Sequence, residues 1–75
     1  MTQPASLSSV DLHRALISLF DKEEIRTLCF GLDVDYDGLR GKGKGAKARE
    51  LVTLMKRTGR LAELEAAIRR ERPDN

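Results

Sequence analysis

Aromatic mass is scarce in this chain, which has no tryptophan, one tyrosine and two phenylalanines among 75 residues. A β-sandwich would want more of these, and valine, isoleucine and threonine never form the alternating run that a half-buried strand requires. The core must therefore be aliphatic and built mainly from leucine, which favours helices packed on helices. The expected fold class is all-α.

Cysteine is almost missing as well. One residue of this type excludes an internal disulfide and a multi-cysteine metal site, and it suits a reducing compartment. No apolar run approaches the roughly 20 residues of a membrane span. The first apolar cluster lies beyond residue 9 and is amphipathic, unlike a signal peptide. A soluble, cytoplasmic protein with no membrane contact is expected. The length allows one domain, marginally stable because so small a chain buries only about 60–65% of its unfolded surface. Residues 1–8 are expected to be a flexible lead-in, 9–73 the domain and 74–75 a tail.

What the chain does have is leucine at helical spacing. Ser8 or Ser9 suits a helix N-cap, and Leu12, Ala15, Leu16, Leu19 and Phe20 share one stripe of a helix over about 10–20. Asp21 with Glu24 three residues later reads as a capping box, and Phe20 before it as a hydrophobic staple. A second helix follows, with Ile25, Leu28, Cys29 and Leu32 at i, i+3, i+4 and i+7. The segment 34–39 is too short for a full helix and suits a turn or a coil of 3₁₀. Ala48, Leu51, Val52 and Met55 then mark a helix over about 44–57, with Gly59 where a left-handed cap belongs. Leu61, Leu64, Ala67 and Ile68 mark a last helix over about 61–70. The total is four helices and one turn-like element.

Between the second and third long helices lies Gly38-Leu-Arg-Gly-Lys-Gly-Lys-Gly45. Four glycines, each weakening a helix by about 1 kcal/mol against alanine, should keep this basic bridge out of either neighbour. Gly38, Gly43 and Lys44 echo a phosphate-binding loop, but Gly45 stands where serine or threonine is needed for magnesium and no strand pattern precedes it. A weaker possibility is that Lys42, Lys44 and Lys47 beside a helix N-terminus hold an anion. Asp33, Asp35 and Asp37 have the alternate spacing of a calcium loop, yet lysine occupies position 44, where the bidentate glutamate belongs. His13 falls on a polar helix face with no nucleophile beside it, and Cys29 falls on an apolar stripe as a small core residue. No catalytic constellation, cofactor site or metal site emerges.

Charge is divided along the chain. Residues 1–37 carry three basic and seven acidic side chains, whereas 38–75 carry eleven and five. Such a chain suits contact with copies of itself, negative face to positive face. The rival is a small nucleic-acid binder whose Arg40, Lys42, Lys44, Lys47, Arg49, Arg57 and Arg60 track a phosphate backbone. Against it stand the acidic half and the lack of aromatics for base stacking.

The blocks LFDKEEIRTLCF (19–30), VDYDGL (34–39), KARELV (47–52) and RTGRL (57–61), in this order, resemble the bacterial effector-associated domains, helical modules of the death-like superfamily. The resemblance covers about residues 9–73. It implies a compact death-like bundle of about five to six short helices. It also implies homotypic or paired binding to identical or cognate domains on effector or sensor proteins of bacterial defence systems, with no catalysis by the module itself. On that reading the acidic interface is Asp21, Glu23 and Glu24, together with Asp33, Asp35 and Asp37. The basic interface is Arg40, Lys42, Lys44 and Lys47, with Lys56, Arg57 and Arg60 as a second candidate. Two different patches make a heterologous contact, which builds rings or filaments rather than closed dimers.

Overall fold

Helices start in this chain where a side chain accepts from the first free N–H groups, and the first two starts are reciprocal. In the computed structural model, which describes residues 7–72, Ser8 Oγ accepts from Asp11 N at 3.1 Å while the Asp11 carboxylate accepts from Ser8 N. This box opens α1 (Ser9–Leu19). Asp21 and Glu24 repeat the arrangement at 2.8 and 2.9 Å and open α2 (Lys22–Gly31). Only Phe20 and Asp21 separate the two helices, so the chain turns sharply there.

Both α2 and α3 (Gly43–Arg57) end in a left-handed residue with two backward hydrogen bonds. At α3 that residue is Gly59 (φ 72°), with Gly59 N donating to Lys56 O and Arg60 N to Met55 O. At α2 the same geometry is built on Asp33 (φ 60°), with Asp33 N donating to Phe30 O and Val34 N to Cys29 O. A single 3₁₀ turn, Tyr36–Gly38, then leads into the bridge, and α4 (Leu61–Glu71) closes the fold.

Every expected stripe points inward. Leu12, Leu16, Ile25, Leu28, Cys29, Leu51, Met55, Leu64 and Ile68 are buried in one cluster, with Ala15, Leu19 and Leu61 packed at its margin. The helix α3 packs against α1, α2 and α4, most extensively against α1, and α4 touches α1 and α2.

Two expectations change. The five to six helices implied by the resemblance become four α-helices and one 3₁₀ turn among the described residues. The segment between α2 and α3 opens with left-handed Asp33 and closes with Gly41 and Gly43 at φ 86° and 82°, which leaves room for one short turn. The end of the bridge does not stay out of its neighbour: Gly43, Lys44 and Gly45 form the first turn of α3, which starts within one residue of the expected 44. Gly41 is the residue the bend demands: a Cβ there would lie 2.6 Å from that of Ala46. Of the expected lead-in, 1–6 lies outside the described residues, as do Pro73 and the 74–75 tail. Leu7 is tied down by its N–H, which donates to Glu65 Oε1 at 3.1 Å.

Candidate protein-interaction surfaces

A helix leaves its last carbonyls without intrahelical partners, and a nearby cation satisfies them well. Neither α1, α2 nor the 3₁₀ turn has a basic residue in its last turn. The basic half of the chain supplies them instead. Lys44 Nζ donates to Ile17 O and Phe20 O at 2.9 and 3.2 Å, and Arg72 Nε to Leu19 O at 3.1 Å, so α1 is closed from two sides. Lys47 Nζ donates to Tyr36 O and Leu39 O at 3.0 and 2.7 Å and lies over the Tyr36 ring. Arg60 Nη2 reaches Leu32 O, the C-cap of α2, at 2.8 Å.

Part of the charge division is thus internal. Lys44, Lys47 and Arg60, three of the seven residues assigned to the basic interface, bind carbonyls of their own chain. That also bears on anion binding at the start of α3, since the ammonium groups of Lys44 and Lys47 are turned away to those carbonyls. The other four fall in three places. Arg40 and Arg57 line one hollow with Leu39, Glu50, Thr53 and Leu54. Lys56 lines another, between α1 and α3, with Val10, His13, Arg49 and Val52. Lys42 is exposed at the N-cap of α3.

The acidic residues divide in the same way. Asp21 is engaged as the cap of α2. Glu24 accepts from Asp21 N and from Arg72, whose guanidinium also stacks on Phe20 at 4.7 Å. Those two bonds, the backbone one first, hold the Glu24 carboxyl below its ordinary value of 4.5. Asp33 faces Arg60 electrostatically. Glu23 and Asp37 lie 4.0 and 3.6 Å from Arg26, both largely in water. Asp35 and Asp37 share a hollow with Arg26, Phe30, Val34 and Tyr36.

Phe30 was not among the expected interface residues, yet among the described residues it is the most exposed large apolar side chain, at 87%. It stands between the hollow just named and a second one lined by Phe20, Thr27, Leu28, Ala67 and Arg70. The signal was present in the sequence: Phe30 lies two residues past Leu28 and one past Cys29, off the α2 stripe. Val10 is the other exposed large apolar residue among the described residues, at 62%, two residues before the α1 stripe begins at Leu12.

The lone cysteine is fully buried, and burial pushes its thiol up to about 11 from an ordinary 9.0. It is core filler. His13 offers Nε2 to Gly45 O at 3.4 Å, a contact between α1 and α3. Among the described residues no helix is long and apolar enough to cross a membrane.

No curated protein and no solved structure matches the chain. A family model does, over residues 12–73, which takes in most of α1, the other three helices whole and every charged residue discussed above except Asp11. With a match across most of its length and an all-helical bundle to go with it, the chain belongs to the family described as effector-associated domain 7.

Proposed function

We propose that this chain is an adaptor module of the death-like kind, which associates with identical or cognate effector-associated domains and so recruits or assembles effectors in bacterial defence and signalling. The module binds and leaves the chemistry to the proteins it gathers. One observation carries the reading. Once the chain's own carbonyls have taken Lys44, Lys47, Arg60 and Arg72, charge of both signs is still left over at the surface. Cations without an ion pair among the described residues, Arg40, Lys42, Arg49, Lys56 and Arg57, predominate on the bridge and α3, where Glu50 is among them. Glu23, Asp35 and Asp37 instead gather around Arg26 on α2 and at the 3₁₀ turn. Charges at an interface rim steer and select more than they bind, so one contact is weak, on the order of micromolar, and multiplicity strengthens the assembly.

Titration of labelled chain with itself, and with other effector-associated domains encoded in the same genome, tests this. Saturable binding that weakens as salt rises is expected. Absence of binding to all of them, or sequence-independent binding to duplex DNA at about 150 mM salt, overturns it.

A further inference from the structure

Resting on the adaptor reading above, we infer that copies of this chain dock head to tail: Phe30 of one copy, with Asp35 and Asp37 beside it, enters the groove between α1 and α3 of the next, which Arg49 and Lys56 rim. The two surfaces share no residue and match in three respects. The first is shape. Phe30 projects from the end of α2 with hollows on both sides, while the groove is a depression of about 380 Å³, ample for one phenyl ring. The second is polarity. The groove is lined by exposed Val10 and by Val52 at the edge of the core, so the ring leaves water for partly aliphatic surroundings.

The third is charge. Asp35 and Asp37 line the same hollow as Phe30, and Asp37 keeps only a 3.6 Å contact with Arg26. Arg49 and Lys56 line the groove and make no ion pair within the chain among the described residues. A buried aromatic anchor inside a ring of opposite charges is how small interfaces concentrate their binding energy. Because knob and groove differ, each copy has both to offer, and the contact propagates as a ring or a filament. An identical copy is the occupant that this sign reversal within one chain favours.

Sedimentation velocity of the 75-residue chain up to about 1 mM tests the pairing. The knob variant Phe30→Ser and the groove variant R49E/K56E each change exposed or rim side chains. Each alone should weaken self-association about tenfold or more. Mixed in equal amounts, they should form one-to-one dimers and nothing larger, since the first keeps its groove and the second its knob. A misfolded variant cannot supply the missing face, so the mixture separates loss of contact from loss of structure. Variants that associate as the original chain does, a mixture no better than its components, or a wild-type chain that stays monomeric while binding cognate domains would each overturn this pairing and leave the adaptor reading standing. Loss of binding to copies and cognate domains alike removes the reading itself.

Discussion

Replacing Lys44 by methionine keeps the aliphatic stem and removes the ammonium that closes α1. Two hydrogen bonds go with it, to Ile17 O at 2.9 Å and Phe20 O at 3.2 Å. A bond to a charged group contributes about 1.5–3 kcal/mol, and a cation at a helix C-terminus about 0.3–1 kcal/mol. Lys44 is only half-buried, so water reaches the vacated carbonyls and the net loss is lower, about 1–2 kcal/mol. A domain of this size has a total stability of about 4–11 kcal/mol. Each kcal/mol moves the midpoint of so small a domain by about 4–8 °C, so Lys44→Met should melt about 5–15 °C lower. Lys42→Met, at an exposed position that makes no intrachain bond among the described residues, should stay within about 0.5 kcal/mol of the parent. Circular dichroism melts of the two variants side by side decide the matter. If they melt within about 2 °C of each other, the carbonyl cap is not a stabilising contact and Lys44 returns to the pool of free surface cations.

The carboxyls of Glu24 and Glu63 are both held below 4.5, Glu24 first by Asp21 N–H and then by Arg72, Glu63 by its bond from Arg60. Their contribution is therefore present above pH 4.5 and lost as pH falls through the depressed values, so E24Q/E63Q should flatten the fall of the urea midpoint between neutral and acid pH. Cys29, raised to about 11, behaves oppositely: its share of stability is present below pH 9 and lost as pH rises through about 11. At pH 8 its thiol should react with Ellman's reagent about 100-fold or more slower in the native chain than in denaturant, and native rates within about tenfold would refute the burial. Gly31→Ala, in a helix with open space around it, should raise stability by about 0.5–1 kcal/mol, whereas Gly41→Ala, strained at φ 86° and 2.6 Å from Ala46 Cβ, should lower it by more than that. Denaturant titration of the pair reads both signs at once.

The helices were legible because their signals are local. Asp21 and Glu24, or Ala48 through Met55, lie within one or two turns of each other, and periodicity alone assigns their faces. Boundaries shifted by one or two residues where a rule could be met in two ways: the α2 stripe runs out at Leu32, but nothing local marks Asp33 as the left-handed residue that usually falls to glycine. The candidate surfaces were less legible. Lys44 and Arg40 look alike in the sequence, both cations in a glycine-rich bridge, yet one is bonded to Phe20 O 24 positions back and the other lines an open hollow. Only the packing of α1 on α3 decides which is which. Glu65 shows the same limit: its pairing with Arg69 follows from helical spacing, but not that it is buried and also holds Leu7 N.

The carbonyls at the end of α1 are answered by residues 24 to 53 positions further along. A growing polypeptide therefore emerges with its first helix unfinished: Lys44 arrives with the start of α3, and Arg72 only after α4. The first helix is complete only once α3 and the end of α4 have been made, so the module matures as a unit rather than piece by piece.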